Sequence, residues 1–205
     1  SCASEAAGGQ NGFNLSVETH EEGGIFGMTT YRVYVTTPNE TDFLSAIAGD
    51  EDNPSYLRTS TSFYQNDLGG ATADLINPLF FGAFPDLAYD SWLTIGIESA
   101  PMPGDGTAAP QLVQAEGDTW LADFEAGDNL EINSFFGGSW FTTNLVSNGL
   151  AGADKKVLVA QLTTDGTLTG QLYVQVFPEG VGANAEYLTL SFGTVSYTHL
   201  RAHET

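Results

Sequence analysis

The stretch Lys156–Phe177, KVLVAQLTTDGTLTGQLYVQVF, decides the fold class. Before its Thr-Asp-Gly-Thr turn, Leu158, Ala160 and Leu162 alternate with Val157, Val159 and Gln161. After the turn, Leu172, Val174 and Val176 alternate with Gln171, Tyr173 and Gln175. A period of two belongs to a β-strand, whose successive side chains point to opposite faces. Asp165-Gly166 between two such runs predicts an antiparallel hairpin, with Gly166 in the positive-φ conformation of a tight turn and one face in a core.

The pattern repeats outward from this stretch. Strands are expected at Phe13–Glu18, Thr29–Thr36, Phe43–Ala48, Tyr56–Tyr64 and Ser91–Glu98. Further ones are expected at Thr119–Phe124, Asn129–Ile132, Gly138–Thr143 and Glu186–Phe192. Gly49 to Pro54 reads as a hairpin-type loop. Between Asn66 and Tyr89 the apolar residues bunch without period, and a short helix or compact loop is expected near 74–84. Phe80, Phe81 and Phe84 would there plug an open end of the core. Ser99 to Pro110, SAPMPGDGTAAP, is a loop because its prolines cannot donate to a ladder. About ten short strands with little helix predict an all-β fold, an antiparallel β-sandwich of jelly-roll or Ig-like type. Residues 13–194 are expected to form one domain after a Gly-rich lead-in over 1–12.

Charge narrows the partners. The chain has 205 residues, with 26 acidic against 5 basic side chains and a formal net charge of −21. Nucleic acids and anionic membranes are bound by neutralising phosphates with Lys and Arg, so neither is an expected partner. The 41% hydrophobic content supports a packed core rather than a disordered chain. No apolar run approaches the roughly 18 residues of a membrane span. The single cysteine, Cys2, can form no internal disulfide. The chain lacks an initiating Met and reads as a fragment or processed product. Residues 195–205 read as a non-native or disordered tail: SYTHLRAHET (Ser196–Thr205) resembles a translated sequencing adapter.

Catalytic chemistry finds few parts. Outside the tail the only histidine is His20, in an acidic turn. Zinc clusters, a Gly-x-Ser-x-Gly elbow and a phosphate loop are all missing from the sequence. Carboxylate pairs suited to glycoside hydrolysis are Asp86 with Asp90, beside Tyr89 and Trp92, and Asp123 with Glu125, near Trp120. Acidic residues are frequent enough for such pairs to arise by chance, and no catalytic residue is assigned. Calcium is the one cofactor considered, because hard cations take several loop oxygens and Asp50, Glu51 and Asp52 are consecutive. Trp92, Trp120 and Trp140 are the candidate ligand-binding residues, as a stacking platform for glycan; core packing is their alternative role.

Several runs carry a resemblance. They are YRVYVTTPNETDFLSAIAGDEDNPSYLRTSTSFYQNDLGG (Tyr31–Gly70), INPLFFGAFPDLAYDSWLTIGIE (Ile76–Glu98), GGSWF (Gly137–Phe141) and GLAGADKKVLVAQLTTDGTLTGQLYVQVFPEG (Gly149–Gly180). Together the chain resembles a repeated extracellular module of large secreted or surface proteins in marine bacteria, chiefly Bacteroidetes. The resemblance implies an extracellular or cell-surface location and a noncatalytic, adhesive or structural role, with glycan or neighbouring surface modules as partners. A carbohydrate-binding module of a polysaccharide-degrading enzyme is the alternative, and a glycoside hydrolase fragment a more distant one.

Overall fold

The computed structural model describes residues 8–196. Cys2 and residues 197–205 of the tail lie outside the described residues. Two antiparallel sheets pack face to face as a β-sandwich of eleven strands, four in one sheet and seven in the other. The smaller sheet is ordered β1 (Asn14–Glu22), β2 (Thr29–Thr36), β9 (Lys156–Thr164), β5 (Trp92–Leu93). The larger holds β3 (Phe43–Gly49), β4 (Ser55–Thr59), β6 (Gln111–Gln114), β7 (Leu130–Ile132), β8 (Gly138–Phe141), β10 (Leu168–Phe177) and β11 (Glu186–Val195). Between them lies the main core, with Leu15, Val17, Val33, Val35 and Leu162 on one side and Ile47, Leu57, Leu172, Val174 and Leu190 on the other.

The central run forms both expected strands, but they do not make a hairpin. β9 pairs with β2 and β5, and β10 with β3, β4 and β11. The Thr164–Thr167 turn is therefore an arch from one sheet to the other. Gly166 is not in the positive-φ region that a tight hairpin turn would demand. Its requirement is closeness instead: a Cβ there would lie 2.3 Å from Thr59 Oγ1 and 2.6 Å from Thr61 Oγ1. Hydroxyls hold the arch, with Thr164 Oγ1 at 2.8 Å from Thr59 Oγ1 and the Thr61 hydroxyl donating to Asp165 Oδ1 at 2.6 Å. Alternation is equally compatible with an arch, because it reports the faces of each strand and not which neighbour supplies its hydrogen bonds.

In the larger sheet β11 pairs along one edge of β10, so β3 and β4 must share the other. They are one line of strand interrupted by Asp50–Pro54, not the two arms of a hairpin. Asp50 Oδ1 accepts the Asn53 and Asp52 amides at 2.7 and 2.9 Å, which closes the excursion on itself. Ser55 mends the gap: its hydroxyl donates to the Ala48 carbonyl and accepts the Tyr173 amide, at 2.7 Å in the latter case. β7 and β8 run alongside as a second interrupted line, against β4 and β3 respectively.

Residues 73–89 form three short 3-10 turns, in keeping with the compact segment expected there. They cover the outer face of the smaller sheet. A second apolar cluster joins Ile76 and Leu87 to Trp92, Ile97 and Leu158, with Phe81 partly buried against it. Phe80 and Phe84 remain about half exposed and plug nothing, because the segment lies across a sheet face and not over an end.

Three strand expectations need correction. Tyr56–Tyr64 is strand only through Thr59, where β4 ends. Thr119–Phe124 contains the helix α1 (Trp120–Glu125), since Trp120 and Phe124 are four apart and bury one helical face while Ala122 is exposed. Ser91–Glu98 pairs as a strand only at Trp92–Leu93. Gly96 at φ +71° turns the chain, so Ile97 joins Trp92 instead of Leu93 and Ile95. At the chain's start, Gln10 Oε1 accepts the Thr189 amide and Asn11 donates to Glu186, which ties part of the expected lead-in to β11.

Candidate functional site

The three tryptophans form no platform. Trp92, Trp120 and Trp140 are 2%, 4% and 0% exposed, and only their packing role is seen. Trp140 donates its indole N–H to the Thr94 carbonyl at 3.0 Å, and Trp92 takes the Arg32 guanidinium 5.9 Å from its ring centroid. Burying so large an apolar side chain is the stronger tendency in a sandwich of this size.

Three of the carboxylates considered for catalysis accept hydrogen bonds from other groups. Asp90 is buried and accepts the Asn66 and Gly70 amides at 2.7 and 3.2 Å, whereas Asp86 is exposed. Burial pushes the Asp90 carboxyl up to about 6, and those backbone donors only partly oppose it. Glu125 accepts the Ala71 amide at 3.1 Å, and Asp123 accepts the Thr119 hydroxyl at 2.7 Å. Asp90 and Glu125 thus act as clasps on the 66–71 loop. Asp50 spends Oδ1 on backbone amides of its own loop, while Glu51 and Asp52 stand exposed. Among the described residues no group of three or more His, Cys, Asp or Glu side chains is arranged to hold a metal ion.

The outer face of the larger sheet carries a different arrangement. Register places Tyr56 opposite Gln171, Tyr173 opposite Ala48 and Thr189, and Tyr187 opposite Gln175. The three tyrosines therefore form a diagonal row across β4, β10 and β11. Tyr173 and Tyr187 stack with centroids 6.0 Å apart and planes 26° apart. Tyr187 is 57% exposed, and the other two rings are half-buried. Burial, with the Asp50 charge added, holds the Tyr173 phenol above its usual range.

Amides and charges frame the row. Gln175 donates to the Tyr187 hydroxyl at 2.6 Å, and Gln171 to the Pro54 carbonyl at 2.9 Å. Arg58 lies 3.8 Å over the Tyr56 ring and is paired with Glu131. Beside Tyr173, Ala48 and Ser139 share the face in register, and Ala46 follows with Phe141 opposite it. The result is a sheet surface with flat rings and adjacent hydrogen-bonding amides. This combination can stack a planar or ring-shaped ligand face and bond its hydroxyls.

None of these tyrosines was among the residues singled out from the sequence. A signal was present: Tyr173 lies on the polar side of a strictly alternating strand, between Gln171 and Gln175. An aromatic ring on the side otherwise given to amides is a surface ring. The matching of Tyr56 and Tyr187 to it needs the strand order, which the mistaken hairpin concealed.

Comparison with protein-family models, with curated proteins and with solved structures returns no match.

Proposed function

We propose that this chain is a noncatalytic module of a secreted or cell-surface protein, and that it adheres to glycan through the tyrosine face of its larger sheet. The observation that carries the reading is the Tyr173–Tyr187 stack in line with Tyr56, with Tyr187 57% exposed and the other two rings half-buried. The position of the rings on rigid strands supports a preorganised surface, which loses little freedom on binding. The acidic surface favours a neutral polysaccharide over a sulfated or uronate-rich one. The noncatalytic part is supported by the use of Asp90 and Glu125 on backbone amides.

Retention on a panel of insoluble neutral polysaccharides tests this. The parent protein should be retained on at least one of them. Tyr173→Ala and Tyr187→Ala should each lower affinity about tenfold, the loss expected for a stacking contact. Retention of both variants at the parent level, or of the parent on no member of the panel, contradicts the reading.

A further inference from the structure

A second, independent feature lies at the end of the sandwich, where the β1–β2 connection faces the arch. It is a half-open cavity of about 490 Å³, within the range of small-molecule sites. Its floor is Tyr31, which is 2% exposed, with Thr29, Thr164 and the partly buried Met28. Its rim includes the exposed Glu22 and Asp165. Gly23 and Gly27, at φ +73° and +78°, form the lip, and a Cβ on either would meet nothing within 4 Å. The mouth is thus kept wide by residues that the turn itself demands.

The charges around this cavity are one-sided. Among the described residues the lining, which ends at Ser196, includes no Lys, Arg or His. Among the described residues Glu22 has no ion pair, and Asp165 accepts the Thr61 hydroxyl through one oxygen. The described cations that do form ion pairs, Arg32, Arg58 and Lys156, bond Glu98, Glu131 and Glu18 on the outer faces of the sheets. The Glu22 charge is close enough to Tyr31 to help burial raise its phenol, so carboxylate and ring act on one space.

We propose that this cavity binds a small organic cation of the quaternary-ammonium type. A methylated ammonium presents both things the walls ask for: an apolar shell for the partly buried Met28, and a positive charge for Glu22 and Asp165. Attraction of such a cation to nearby carboxylates is strongest where a cavity partly excludes water. A bare metal ion would need more oxygens than two separated carboxylates and their hydroxyl neighbours bring together.

The test compares choline with 3,3-dimethylbutan-1-ol, which has nearly the same shape and no charge, in NMR titrations of the full chain at low salt. Choline should shift the Met28 methyl and Tyr31 ring signals and bind about tenfold more tightly than the alcohol. Glu22→Gln, an exposed substitution that leaves the fold intact, should weaken choline several-fold and leave the alcohol unchanged. Tyr187→Ala, on the other face, should alter neither. Equal binding of the two probes, parent-like binding by Glu22→Gln, or no choline response at millimolar concentration overturns the proposal.

Discussion

The two outer faces of the sandwich differ in one respect. That of the smaller sheet is roofed by residues 73–89, which bury Trp92, Leu158 and Ile97 beneath them. That of the larger sheet bears Tyr56, Tyr173 and Tyr187, with Tyr187 57% exposed and the other two rings half-buried. The strands record the difference. β9 is buried at every position after Lys156, whereas β10 alternates buried and half-buried from end to end. A strand covered on both faces reads as nearly continuous apolar sequence, and a strand with one wet face alternates cleanly. Aromatic rings on the wet face are then the informative exception. The lesson is that large apolar side chains in this protein serve stability on one outer face and are available for contact on the other.

Substitutions can break or sharpen that contrast. The largest effect is expected at Trp92→Ala, which opens a cavity under the roof and should cost about 3–5 kcal/mol in urea unfolding. Tyr187→Ala should stay within about 0.5–1 kcal/mol of the parent in the same measurement, since the ring is exposed and only its stack and one hydrogen bond are lost. A comparable loss at both sites would show that the tyrosine face is structural.

Asp90 sharpens the covered side. Its removal by Asp90→Ala leaves two loop amides without their acceptor and should cost about 2–3 kcal/mol. Its pH dependence has a definite sign. The folded carboxyl titrates at about 6 and the unfolded one near 3.8, so between these values the folded chain holds the proton more firmly. Stability contributed by this group is therefore full below about pH 4, falls as pH rises to about 6, and is level above, with a total span of about 3 kcal/mol at most. Asp90→Asn should flatten that segment of the stability curve relative to the parent. The difference between the two proteins isolates Asp90 from the repulsion among the other carboxylates. An unchanged slope would place the carboxyl in water and loosen the account of the roofed side.

Ser55 bears on the open side. Ser55→Ala leaves the Tyr173 amide unpaired inside the interrupted strand line and should cost about 1–2 kcal/mol. Amide exchange at Tyr173 should accelerate in that variant while exchange at Val33 in the smaller sheet stays as slow as the global stability allows. Uniform acceleration at both would argue against the local role of the hydroxyl.

Much of the architecture was legible in the residues. Alternation located β1, β2, β9, β10 and β11, the loop at Gly49–Pro54 marked the end of β3, and the loss of alternation located the compact segment. What alternation could not supply was connection. Asp165-Gly166 suits a hairpin locally, but Gly166 serves the close approach of Thr59 and Thr61, a contact more than a hundred residues away in the chain. Asp50–Pro54 also has the composition of a turn, yet its neighbours continue one line because Ser55 replaces the missing backbone partner. The α1 helix escaped notice because Trp120, Ala122 and Phe124 fit a period of two as well as Trp120 and Phe124 fit one helical face. The same limit hid the candidate site. Trp was the obvious ring to assign to a ligand, but its size makes it the residue a core gains most from burying. Tyr, with a hydroxyl for water, was left to the surface.

The most direct test of the binding face follows backbone and tyrosine ring signals by NMR while a soluble oligomer of the retained polysaccharide is added. Expected shifts are centred on Tyr56, Ala48, Tyr173 and Tyr187, with Trp92 and its cover unmoved. Shifts centred on the roofed face around Trp92 and Phe81, with the tyrosine row unmoved, would contradict the assignment.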